Sequence, residues 1–159
     1  VLGKKEIMES FENTFISSTF WTERIGSVAA LKTLELMERE KSWKKIKLLG
    51  KRIKKIWKDL AEKNSLEIDI TGLDALASYN FKELNLERRT YVVQKMLENK
   101  ILSGNTFYPS TFHSSDHIDR YTEILDKIFK DLSQFNSKEK LLSSIKGDII
   151  NPNPFARAN

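Results

Sequence analysis

The 159-residue sequence contains no cysteine, only three prolines and six glycines, and no run approaching eighteen uncharged apolar residues. The missing cysteines exclude disulfides, thiolate metal sites and a cysteine nucleophile, and they fit a reducing compartment such as the cytoplasm. Scarce glycine and proline exclude collagen-like and low-complexity chains. The absence of a long apolar run argues against a membrane-spanning helix, and no pattern of basic start, apolar stretch and small cleavage residues marks a signal peptide. Gly-rich phosphate loops, a Gly-x-Ser-x-Gly elbow and a His-Glu-x-x-His motif are also missing. What is present, 40% hydrophobic and 10% aromatic residues, is one domain's worth of material. A core of that size buries about 68–70% of the unfolded surface. The sequence opens Val1-Leu2-Gly3, without a start methionine or a capping signal, and the expectation is a piece of a longer chain.

The net charge of +5 suggests an anionic partner, but the charge is concentrated. Between Arg39 and Lys63 eleven basic residues face three acidic ones, a local +8 that leaves −3 for the remainder. A charge run opposite an apolar face is usually a solvated face. Trp43 and Trp57 both read as members of the apolar stripe, whereas stacking on bases needs exposed rings among the lysines. The expectation is therefore no nucleic-acid partner.

Periodicity orders the elements. Val28, Leu31, Leu34 and Met37 recur every three residues and predict a helix over 23–40. Trp43, Ile46, Leu49, Ile53, Ile56, Trp57 and Leu60 predict a second helix whose far side is the basic run. Gly50 costs that helix about 1 kcal/mol relative to alanine and is read as the mark of a close helix contact. Leu66, Ile68 and Ile70 alternate with Glu67, Asp69 and Thr71, as a half-buried strand does. Gly72 and Asp74 then turn the chain into a second strand over 75–81. A helix over 86–100, a third strand over 101–107 and a helix after Ser114-Ser115-Asp116 follow, then a weakly helical 138–145. The order describes an α+β fold, a small antiparallel or mixed sheet with helices on one face.

Two groups of residues invite chemistry. His113 and His117, with Asp116 and Asp119, suggest a metal site, but catalytic zinc needs a third protein ligand, and His113 precedes the helix start. We expect helix capping there and no metal. The stretch from Phe15 to Gly26 sets Ser17, Ser18, Thr19 and Thr22 directly ahead of a helix. Hydroxyls and free amides at such a start form a site for phosphate or carboxylate. The same hydroxyls also serve as plain caps, and the residues leave both readings open.

Ser17-Ser18-Thr19-Phe20-Trp21-Thr22-Glu23-Arg24-Ile25-Gly26 resembles the class III pyridoxal-phosphate aminotransferases, within them the glutamate-1-semialdehyde aminomutase-like group. Gly3-Lys4-Lys5-Glu6-Ile7-Met8, Ala29 to Leu34, Tyr108-Pro109-Ser110 and His113 to Asp119 support the likeness. The resemblance implies the C-terminal small domain of a fold-type I enzyme, with a three- to four-stranded, mainly antiparallel sheet covered on one face by helices. It implies a remnant of the large cofactor-binding domain at 1–26, the small domain at 27–135 entered by a connecting helix from near residue 23, and a tail at 136–159. It assigns Thr19, with Ser18, to the phosphate of the pyridoxal 5'-phosphate bound by the neighbouring subunit of a homodimer. In the family the Schiff-base lysine and the aspartate that pairs with the pyridine nitrogen lie upstream of the segment matching Gly3–Met8. No catalytic residue is thus expected in this chain, no activity from it alone and no retained cofactor. The implied partners are the missing large domain, a second copy and a small amino or keto substrate. The alternative is a stand-alone basic α+β module that binds nucleic acid or another anion through residues 39–63.

Overall fold

In the computed structural model, which describes residues 3–14 and 23–150, the helical and alternating patterns become ten short elements arranged in two units, Val1–Glu40 and Lys41–Asn159. The first unit holds α1 (Lys5–Met8), a 3-10 turn (Glu9–Asn13) and α2 (Ile25–Glu40). The carboxylate of Glu23 caps α2, accepting the N–H of Ile25 at 2.6 Å and of Gly26 at 3.0 Å. Two of the orphan donors at a helix start are thereby satisfied from within the chain. No residue of α2 is buried, and Ile25, Val28, Leu31 and Leu34 are 62–79% exposed. A step of three residues falls short of the 3.6-residue turn, so these side chains wind around the helix instead of lining the single face that the sequence suggests.

The second unit carries the core. It comprises α3 (Ser42–Lys63), β1 (Ile68–Leu73), β2 (Leu76–Phe81), α4 (Asn85–Glu98), β3 (Thr106–Phe107), α5 (Ser115–Gln134) and α6 (Lys138–Ser143). The sheet is antiparallel in the order β1-β2-β3, with Leu73 opposite Leu76 across the hairpin and Ala77 opposite Phe107. Alternation places Ala77, Tyr79 and Phe81 of β2 inward. They meet Ile53 and Trp57 of α3, Val92 and Met96 of α4, and Leu125 and Phe129 of α5 in one cluster. Tyr79 is its hub, with ring centroids 4.8 Å from Trp57, 5.6 Å from Phe81 and 6.0 Å from Phe129. The expected α+β architecture, a three-stranded antiparallel sheet with helices, is the one observed.

Three local expectations change. Gly50 contacts a turn and not a helix: a Cβ there would collide with the backbone carbonyl of Asp74. Lys54 ties the same hairpin to α3 through Gly72 O at 2.8 Å and Asp74 at 3.1 Å. Trp57 is fully buried but Trp43 is 47% exposed, because it lies roughly a quarter turn from the centre of the stripe at 100° per residue. The third strand is two residues long instead of seven. Its ladder is continued by Asn105, whose carbonyl accepts Tyr79 N–H and whose side-chain amide donates to Tyr79 O, both at 2.9 Å. Residues 101–104 leave the sheet and form a loop. Among the described residues no helix is long and apolar enough to cross a membrane.

A candidate ligand cavity at the start of α5

The loop released from β3 and the first turns of α5 border an open cavity of about 940 Å³, within the size range of ligand pockets, roughly 300–1,000 Å³. Local hydrogen bonds hold its wall. Ser110 N–H donates to His113 Nδ1 at 2.9 Å while Ser110 O accepts His113 N–H at 3.1 Å, so the two residues close the turn reciprocally. The His113 ring lies 5.0 Å from that of Phe107. At the helix start, Ser114 Oγ accepts His117 N–H at 3.3 Å and His117 Nδ1 accepts Ser114 N–H at 3.2 Å. This is a capping box with histidine in the place usual for glutamate.

Both imidazoles therefore use Nδ1 as an acceptor, which leaves Nε2 to carry the ring hydrogen. Among the described residues no three histidine or carboxylate side chains converge as metal ligands.

The floor is Tyr121, whose phenol oxygen accepts the indole N–H of Trp57 at 2.8 Å. Burial pushes this phenol up to about 12, against the smaller opposing pull of the Trp57 bond. It is a neutral group at physiological pH. The rim carries two cations, Lys100 and Arg120, and among the described residues no carboxylate lines the cavity. Arg120 also donates to Asn99 O at 3.0 Å, closing the end of α4. Asp119, beside it in sequence, pairs instead with Arg52 at 2.7 Å. Leu102, Tyr108 and Phe112 stand on the rim at 92%, 71% and 89% exposure.

The structure brings His113, His117 and the Tyr108-Pro109-Ser110 segment together at this cavity. Ser18 and Thr19 lie outside the described residues. Sequence reasoning missed Lys100, Arg120 and Tyr121. Reading 101–107 as a strand concealed the loop, although Ser103-Gly104 was its signal.

No family model matches the sequence. Over 84 residues, 52% of the chain, it is 29% identical to the 3-aminobutyryl-CoA aminotransferase of Cloacimonas acidaminovorans (strain Evry), of which it covers 20%. The FumI protein of Sphingopyxis sp. MTA144, solved in its PLP internal aldimine form, superposes with a TM-score of 0.72 at 18% identity, over 88% of this chain and 36% of that one. The chain thus spans about a fifth of the one relative and about a third of the other. Its fold is that of part of the FumI protein. Among the described residues no lysine is buried. None is the desolvated amine that would hold an aldehyde cofactor covalently, so the described part of this chain does not by itself fit the group.

Proposed function

We propose that this chain is the C-terminal small domain of a pyridoxal-phosphate-dependent aminotransferase or aminomutase, supplying one wall of the active-site cleft. The observation that carries the reading is the superposition of 88% of the chain on a pyridoxal-phosphate enzyme, joined to a sequence match with an aminotransferase. The cofactor, when bound, supplies the electron sink for moving an amino group. The part of this chain is to shape and dry the cleft with the cavity beside α5.

Three further elements belong to the same reading. Ser18 and Thr19 would reach the cofactor phosphate of the neighbouring subunit in a homodimer. The exposed apolar residues of α2, Ile25, Val28, Leu31 and Leu34, fit a connecting helix that further parts of a longer chain would cover. Glutamate-1-semialdehyde and a coenzyme A thioester of an amino acid are both substrates to test, the second because the curated relative is named for one.

The test is spectroscopic. The chain alone should show no absorbance band of bound pyridoxal, and a longer chain carrying the upstream coding sequence should show it. A band in the short chain, or none in the longer one, overturns the reading. Product analysis then separates the two reactions: an amino group moved within glutamate-1-semialdehyde marks an aminomutase, and one passed to a keto acid marks an aminotransferase.

One observation favours a second reading, a basic module that uses residues 39–63 on nucleic acid. Trp43 is half-exposed, and Lys44, Lys47 and Lys51 on the neighbouring positions carry no ion pair among the described residues. An exposed ring among free lysines is what base stacking requires. Salt-dependent quenching of Trp43 fluorescence by a single-stranded oligonucleotide, lost in Trp43→Phe, would support it. Unchanged fluorescence would end it.

A further inference from the structure

We infer that the first three turns of α3 form a docking surface for single-stranded nucleic acid, with phosphates on Lys44, Lys47 and Lys51 and a base stacked on Trp43. The inference rests on the second functional reading and narrows it to one part of the basic run and one form of polynucleotide. The cations of α3 divide sharply. From Arg52 onward each one meets an oxygen: Arg52 pairs with Asp119 at 2.7 Å, Lys54 with Gly72 O at 2.8 Å, Lys55 with Asp59 at 2.7 Å, Lys58 with Glu62 at 3.7 Å and Lys63 with Asp126 at 2.6 Å. Lys44, Lys47 and Lys51 are exposed and have no such partner among the described residues. No acidic residue of α3 precedes Asp59 to offset them.

At 100° per residue, Trp43, Lys47, Lys51, Lys44 and Leu48 follow one another around the helix within an arc of about 140°. The three lysines hold the middle, and an apolar side chain stands at either edge, Trp43 at 47% exposure and Leu48 at 69%. The edge at Trp43 is extended. Two turns further along the same side, Gly50 meets the β1-β2 turn, and the cross-strand pair at that tip, Leu73 and Leu76, is 77% and 43% exposed. This arrangement selects the form of the polyanion. A duplex turns its phosphates outward and keeps its bases stacked inside, so Trp43 would meet only charged backbone. A single strand offers phosphates and free base faces together, and stacking on an aromatic ring tolerates any base. A lipid surface buries an apolar face deepest with cations around it, the reverse of the order on α3. Three unspent cations set the salt dependence: at about −0.7 for each phosphate of a single strand, log K against log salt should have a slope of about −2. Among the described residues none of α3 lines the cavity beside α5, so this surface and an active-site wall do not compete for the same side chains.

The experiment is fluorescence anisotropy of a labelled oligothymidylate, the same strand with abasic sites and a duplex of equal length, each titrated with the 159-residue chain over a range of salt. Oligothymidylate should bind at least tenfold tighter than the duplex and at least fivefold tighter than the abasic strand, with the slope given above. Trp43→Ala should weaken oligothymidylate at least fivefold, the lower end for one stacked base, and leave the duplex unchanged. Lys44→Gln with Lys47→Gln and Lys51→Gln should flatten the slope toward zero, whereas Lys55→Gln with Lys58→Gln should leave it as it is. All five lysines are exposed, and the circular dichroism spectrum of each variant should match the parent. Equal affinity for strand and duplex, an abasic strand bound as tightly as the intact one, or a loss confined to Lys55→Gln with Lys58→Gln overturns the inference while the second reading stands. No binding to either polynucleotide ends that reading as well. Tighter binding to phosphatidylserine vesicles than to the strand assigns the surface to lipid and also overturns the inference.

Discussion

The indole N–H of Trp57, on α3, donates to the phenol oxygen of Tyr121, on α5, at 2.8 Å inside the core, so the floor of the cavity is fixed from the far side by a buried hydrogen bond. Removing the acceptor leaves a buried donor unpaired, at a cost of about 1–3 kcal/mol. Tyr121→Phe is therefore expected to lower the Tm by about 2–12 °C, at roughly 2–4 °C per kcal/mol for a chain of this size. Thermal unfolding followed by circular dichroism checks this, and an unchanged Tm would show that the bond contributes nothing.

The same phenol predicts an alkaline limit. Tyr121 is raised to about 12 by burial, and burial also raises Tyr79 and Tyr91 above their ordinary value of 10. A folded-state value above the unfolded one gives stability that is complete below pH 10 and is lost as pH rises through the folded values. Denaturant midpoints measured from pH 9 to 11.5 should fall steadily above pH 10. In Tyr121→Phe the fall should be shallower. Equal slopes in the two proteins would contradict the assignment.

Gly50 is the point where α3 meets the β1-β2 turn without room for a side chain. Gly50→Ala would gain helix propensity worth about 1 kcal/mol, yet must push the Asp74 backbone away, and overpacking of this kind costs about 1–3 kcal/mol, occasionally more. Backbone yields less readily than a flexible side chain, so the collision wins and the variant is destabilised. Gly104→Ala, with open space around it, is the control and should stay within about 0.5 kcal/mol. A Gly50→Ala protein as stable as the parent would show that the hairpin is not held against the helix.

These positions also show where sequence pattern is informative. Residues such as Ile53, Trp57, Tyr79 and Phe129 follow a period set by the local backbone, and the face they share is legible before any contact is known. Trp43 fits nearly the same steps yet lies about a quarter turn from the centre of the stripe, and steps of three and four residues do not mark where the buried face ends. Gly50 announced a close approach but not its partner, because a missing Cβ carries no information about what fills its place. The cavity was the least legible feature. It depends on β3 ending after two residues, and apolar residues such as Ile101 and Leu102 give the same local signal in a buried strand and on an exposed loop.

Glu87 on α4 and Lys138 at the start of α6 form an ion pair at 2.6 Å, with the carboxylate largely shielded from solvent. The hydrogen bond from Lys138 holds Glu87 below the ordinary glutamate value. A depressed carboxylate contributes stability above its unfolded value and loses it as pH falls through the folded one. Acidification below about pH 4.5 should therefore erode stability faster in the parent than in Glu87→Gln. Urea midpoints between pH 5 and 3 measure this, and parallel losses would show that the pair is not thermodynamically coupled.

The capping box at α5 separates two roles that a histidine can play. If His117 serves the helix start, what matters is an acceptor that reaches the Ser114 N–H, now met at 3.2 Å. Glutamine supplies one and alanine does not, since the reciprocal pattern works with Glu or Gln at this position. His117→Gln should therefore stay within about 0.5 kcal/mol of the parent, while Ser114→Ala, which removes the other half of the box, should cost about 1 kcal/mol. If stability collapsed in His117→Gln but not in Ser114→Ala, the imidazole would be needed for packing within the cavity wall and the capping account would fail.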